Sequence, residues 1–160
     1  MDENKALRQQ LVDLLKGGNA HVKFEDAIAD LPANLRGQKA ANFPHSVWML
    51  LEHMRIAQWD ILEFSREKKH KSPKWPEGYW PATDDPPTAA QWNASVKQFH
   101  SDLKEMEELV KNPKTDLFAK IPWGDGQTIL REALLVADHN AYHVAQIVDV
   151  RRLLGAWSGK

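Results

Sequence analysis

Residues 128–154, TILREALLVADHNAYHVAQIVDVRRLL, carry the pattern that decides the fold. Ile129, Leu130, Ala133, Leu134, Ala137, Ala141, Val144, Ala145 and Val148 recur at three- and four-residue spacing over a stretch far too long for a strand, so the segment is a helix with one apolar side. Gly155 follows as a C-terminal stop. Inside this helix His139 and His143 are spaced i, i+4, which projects both imidazoles from one face about 6 Å apart along the axis. Their neighbours one and two turns away, Leu135, Val136, Ile147 and Val150, are apolar, so the pair is expected to point toward a partner helix.

Three further segments share the helical period. Leu7, Leu11, Leu14 and Leu15 form a stripe that ends at Gly17-Gly18. After Pro44, Ser46 is a candidate N-cap for a helix carrying Val47, Leu50, Leu51, Met54, Ala57, Ile61 and Leu62. After Pro86-Pro87, Thr88 and Gln91 resemble a capping box, and Trp92, Val96, Phe99, Leu103, Met106 and Val110 give a clean amphipathic stripe. Four long helices imply an all-α fold, a four-helix bundle, expected to be one domain over residues 1–160. The connections 18–44 and 68–87 are long for a bundle, so one or both should cross it or cover an end. The second contains Pro73, Pro76, Pro81, Pro86 and Pro87 with Trp75, Tyr79 and Trp80 between them, which makes it a stiff crossover with apolar faces to bury. Ile121 to Gly126 reads as a tight turn, with Phe118 to Ile121 locally extended.

Composition excludes several functions. The 160 residues include 21 Lys+Arg, 22 Asp+Glu, seven His, seven Trp and no Cys. Without cysteine there is no thiolate metal site, disulfide or cysteine nucleophile, so any metal must be held by nitrogen and oxygen. A net charge of −1 argues against a phosphate-backbone binder. The basic run Arg66-Glu67-Lys68-Lys69-His70-Lys71 reads as a solvated helix end complementing the helix dipole, so no nucleic-acid partner is expected. No segment reaches the ~18 apolar residues of a membrane span. The opening MDENKALRQQLVDLL reads as an amphipathic helix rather than a secretory signal, and a cytoplasmic location is the expectation.

His53, with Met49, Leu50, Ile56 and Ala57 as helical neighbours, is the third histidine expected between packed helices. Three imidazoles around one divalent ion would leave positions for water or substrate. The residues alone leave two readings open, metal ligation or buried histidines satisfied by a carbonyl or carboxylate. His45 is a competing third ligand, and His21, His70 and His100 read as surface residues. Glu52, Asp60, Glu132, Asp138 and Gln146, and more weakly Gln58 and Asn140, are candidate acceptors for the outer imidazole N–H. Trp48 and Trp59 should pack, Tyr142 lies ~100° from His143 around the helix, and Trp123 is the candidate pocket wall.

The stretches FPHSVWMLLEHMRIAQWDILEFSR (43–66), SPKWPEGYWP (72–81) and GDGQTILREALLVADHNAYHVAQIVDVRRLLGAW (124–157) resemble the DinB/YfiT-like superfamily of metalloenzymes. The resemblance implies a four-helix bundle with a long crossover and a metal triad matching His53, His139 and His143. It further implies a divalent ion, usually nickel or zinc, and frequent homodimers. Characterised relatives include thiol transferases using low-molecular-weight thiols, which would place any sulfur on a cosubstrate of this cysteine-free chain. The expected function is a metal-dependent enzyme acting on a small molecule, transferase-like or hydrolase-like. The alternative is a non-catalytic, stress-linked dimerisation or small-ligand-binding bundle whose metal is structural or absent. A homodimer is also expected from the apolar surface of the crossover and third stripe.

Overall fold

The computed structural model describes residues 3–159 and is built from helices: α1 (Glu3–Lys16), α2 (Phe24–Ile28), α3 (Val47–Arg66), α4 (Ala89–Lys111) and α5 (Ile129–Leu153). The four long ones are those the periodicity marked. Met1, Asp2 and Lys160, the ends of the expected 1–160 unit, lie outside the described residues. The expected caps form, Ser46 and Thr88 each accepting a bond from the backbone N–H three residues on at 3.1 Å, and Thr128 caps α5 in the same way at 3.2 Å. At the other end of α5, Gly155 takes φ +68°, and the N–H groups of Gly155 and Ala156 return to the carbonyls of Arg152 and Arg151. This is a Schellman stop, which needs a left-handed residue at that point.

Both α1 and α3 pack on α4 and α5, so the two pairs lie across the bundle from one another. Trp48 sits by Trp92, and Gln58 reaches the carbonyl of Phe99, so α3 and α4 run in the same direction. Parallel neighbours require the chain to travel back the whole length of α3, about 30 Å for its 20 residues. Residues 67–88 make this journey in contact with α3: His70 meets Asp60, Tyr79 meets His53, and the Asp84 carbonyl accepts from the Ser46 hydroxyl. The bundle with a long crossover is therefore present. No helix among the described residues is long and apolar enough to cross a membrane.

Two apolar clusters fill the interior. One gathers Trp48, Leu50, Leu51, Met54, Trp92, Phe99, Ile147 and Val150, and the other Leu11, Val12, Leu62, Met106, Val110, Ile129 and Val136. Between α3 and α5, buried Asn140 donates to the Gln58 side-chain carbonyl at 2.8 Å, and Gln58 donates to Phe99 at 2.7 Å.

Several local expectations change. The short helix α2 occupies the first connection, where five residues are too few to show a period; Phe24 and Ala27 bury against the bundle, and the buried Arg151 guanidinium donates to the Ala27 carbonyl at 2.7 Å. Leu14 is 46% exposed because the buried face of α1 is Arg8, Leu11, Val12 and Leu15. Trp75 is also exposed, at 68%, with its ring edge-on to Tyr79 rather than buried. Trp92, Phe99, Met106 and Val110 are used inside the bundle, so the α4 stripe offers no surplus apolar surface for a dimer.

Arg8 shows why a charged residue can define a buried face. Its guanidinium donates to the carbonyls of Val110 (2.6 Å), Asn112 (3.0 Å) and Thr115 (2.7 Å), satisfying acceptors left over where α4 ends. Replacement by Met keeps much of the stem and strands those carbonyls. Arg8→Met is expected to lower unfolding stability by roughly 3 kcal/mol, read in urea titration as a lower midpoint with an unchanged slope.

Candidate metal centre

His53 is placed by α3, and His139 and His143 by α5, whose side-by-side packing closes the three rings on one another. One ring nitrogen from each lies within 4.8 Å of the other two. His53 and His143 are buried and His139 is half-buried. The ring centroids are 4.9 Å (His53–His139), 4.6 Å (His53–His143) and 4.5 Å (His139–His143) apart.

The outward nitrogens decide which atoms face inward. His53 Nδ1 lies 2.9 Å from the Tyr79 carbonyl, which can only accept, so Nδ1 carries the hydrogen and Nε2 keeps its lone pair. His143 Nδ1 likewise donates to Gln146 Oε1 at 2.7 Å. His139 Nε2 and His53 Nε2 are 3.1 Å apart. Two nitrogens bound to one tetrahedral ion at ~2.05 Å would be about 3.3 Å apart, so the pair has the spacing of two ligands. The same distance suits a His139 N–H donating to His53, in which case a proton holds the place a cation would take.

Burial lowers all three histidines. His139 falls to about 3, through desolvation first and then the neighbouring His143 and His53. His143 falls to about 4, desolvation outweighing the support of Gln146. Desolvation also lowers His53, against the opposing bond to Tyr79. All three are therefore neutral at pH 7, the state that can donate lone pairs.

A wall of crossover residues encloses His53. The Trp80 ring is stacked on it, centroids 4.1 Å apart and planes within 4°, and Trp80 is stacked equally on His45 at 4.2 Å and 17°. Two rings cannot share one indole face so near its centre, so they take opposite faces. Trp80 thus separates His45 from His53, and His45 is not brought to the triad as a third ligand.

Of the acceptors considered from sequence, Gln146 alone bonds a triad ring. Glu52 pairs with Arg55 at 2.7 Å, Glu132 with Arg131 at 2.7 Å, Asp138 is exposed, and Gln58 and Asn140 hold each other. Asp60 accepts from the Tyr79 hydroxyl at 2.6 Å and contacts His70 Nε2 at 2.7 Å. His70 is consequently not a surface residue, its side chain being 8% exposed and edge-on to Trp59. Burial and Asp60 push the Tyr79 phenol up to about 12, so it remains a donor.

Trp123 is not at this site. Its indole donates to the Phe64 carbonyl at 2.7 Å and packs in the far apolar cluster, about 16 Å along α3 from His53. Trp80 takes the wall position instead. Tyr142 is exposed, and its ring stands edge-on to His143 at 5.0 Å. The Tyr79 carbonyl was not foreseeable, because a main-chain acceptor leaves no mark in residue type; the aromatic count of the crossover was the available signal for Trp80.

Comparison with family models matches residues 19–147 to the one described as DinB superfamily. No curated protein and no solved structure gives a match.

Because the folded triad resists protonation while the unfolded chain titrates near 6.5, the unfolded state binds more protons as pH falls below 6.5. Metal-free protein should therefore lose stability between pH 6.5 and about 3. The difference in unfolding midpoint between wild type and His139→Gln should shrink across that interval, which calorimetry at several pH values would measure; a constant difference would show that His139 is not held neutral.

Proposed function

The chain belongs to the DinB superfamily, and on that premise we propose that it is a divalent-metal-dependent enzyme acting on a small molecule, with His53, His139 and His143 as the ligands. The observation that carries this reading is the orientation of the imidazoles. Two have their outer nitrogens already occupied by Tyr79 and Gln146, leaving Nε2 lone pairs to converge with His139. An all-nitrogen set suits nickel or zinc.

When bound, such an ion supplies Lewis acidity that makes water or a thiol nucleophilic near neutral pH. The chain's own contribution is orientation and exclusion. Tyr79 and Gln146 fix two ring tautomers, and Trp80 covers one face of His53. Since the sequence has no cysteine, a thiol-transfer reaction takes its sulfur from a low-molecular-weight cosubstrate. Hydrolysis is the other reaction this set serves. The 3.1 Å contact between His53 and His139 favours a second reading, a non-catalytic bundle whose histidines satisfy one another without metal.

Elemental analysis of protein purified without tag or chelator separates these readings. About one divalent ion per chain, lost in His143→Ala, is the outcome expected of a three-histidine site. Metal-loaded protein should then conjugate a low-molecular-weight thiol to a chlorodinitrobenzene faster than His53→Ala does. Metal without turnover over several thiols removes the transferase, and no metal at all favours the second reading.

We further propose a homodimer, now on different residues from those the sequence suggested. Leu134, Tyr142 and Leu153 are exposed and fall within about 100° of one another around α5. Sedimentation should give twice the chain mass at micromolar concentration, and Tyr142→Asp should shift it to the monomer.

A further inference from the structure

Asp60 stands two turns after His53 on α3, about 10 Å along the axis and on nearly the same stripe. Tyr79 lies against that stripe and is fixed at both ends: its hydroxyl donates to Asp60 Oδ2 at 2.6 Å, and its main-chain carbonyl accepts from His53 Nδ1 at 2.9 Å. Asp60 is buried, and its other oxygen holds His70 at 2.7 Å, ten residues along the chain. The next residue after Tyr79 is Trp80, stacked on His53. One carboxylate therefore anchors the crossover at two points, and the crossover in turn holds the histidine.

We infer that Asp60 is a positioning residue for the triad, acting through the Tyr79 hydroxyl to hold the Tyr79 carbonyl on His53 Nδ1 and so fix the tautomer and aim of His53 Nε2. Tyr79 ends a single 3-10 turn, Glu77–Tyr79, in which its N–H returns to the Pro76 carbonyl at 3.1 Å, but its own carbonyl accepts no ladder bond that would aim it. Its position is set by what its own residue is tied to. The bond at the far end of the Tyr79 side chain supplies that tie, and His70 on the same carboxylate keeps the Asp60 rotamer from turning away.

This inference rests on His53 being a metal ligand, and its test reports on both claims separately. The full chain, stripped with chelator, is titrated with Zn2+ against a chromophoric competitor at a temperature where every variant is folded. The tautomer of His53 in the metal-free forms is read from side-chain 15N shifts. Tyr79→Phe and Asp60→Ala should each weaken Zn2+ binding about tenfold, the lower end of the loss seen for direct outer partners of a metal ligand. The double variant should be no weaker than either single one, because both remove the same tie. Asp60→Asn, which keeps an acceptor oxygen for the phenol, should bind within about twofold of wild type. In metal-free protein, the single Nδ1–H form of His53 should give way to a tautomer mixture in Tyr79→Phe. Unchanged affinity in Tyr79→Phe, or losses that multiply in the double variant, overturns the inference. If wild type takes up no Zn2+, the metal-site reading fails, and the tautomer decides alone: an unaltered Nδ1–H form in Tyr79→Phe overturns the positioning role. Should Asp60→Ala fail to fold, Tyr79→Phe and Asp60→Asn carry the comparison.

Discussion

The hydrogen bond from His53 Nδ1 to the Tyr79 carbonyl joins the two halves of this molecule's design. It exists because α3 and α4 are parallel, which forces the chain between them back along α3. A shorter connection would give antiparallel neighbours and no strand of backbone beside His53. The return path also brings Trp80 to the ring and His70 to Asp60. A topological requirement thus supplies the polar partner and the apolar cover of His53. The partner of His143, Gln146, comes from α5 itself.

Burial of the histidines follows the same logic. Imidazole in a low-dielectric setting loses its proton affinity, as the lowered values of His139 and His143 show. A buried imidazole without partners would be costly, and each outer nitrogen that is hydrogen-bonded limits that cost. Of the carboxylates that the sequence places nearby, Glu52, Glu132 and Asp60 are committed to Arg55, Arg131 and the crossover, and Asp138 is exposed. The triad is consequently ringed by neutral acceptors, so the charge of a bound cation would not be cancelled by adjacent acids.

Much of this was legible in the sequence, for a definable reason. Long amphipathic helices repeat their signal many times, so α1, α3, α4 and α5 and the caps Ser46 and Thr88 could be read directly. That His139 and His143 share one inward face followed from spacing, while their grouping with His53 as a metal triad came with the family resemblance. Features made by a single contact carry no period: α2 is too short, Arg8 looks like a surface base until its three carbonyls are seen, and His70 sits in a basic run that otherwise is solvated. Trp123 was misplaced because an aromatic before α5 is near that helix in sequence, while the triad lies well along it. Trp80, distant in sequence from α3, is the one delivered to His53 by the crossover.

The Asn140–Gln58 pair has one more consequence, which concerns register. Histidines at i and i+4 make α5 almost self-similar under a slip of one turn, since His143 could then occupy the place of His139 and an apolar stripe would still face α3. Hydrophobic packing discriminates weakly between two such alignments. A buried amide pair does not, because sliding α5 leaves both Asn140 and Gln58 without their partner in an interior that cannot solvate them. The pair therefore acts as an alignment key: it selects which imidazole meets His53, as a lone polar residue fixes the alignment of a coiled coil.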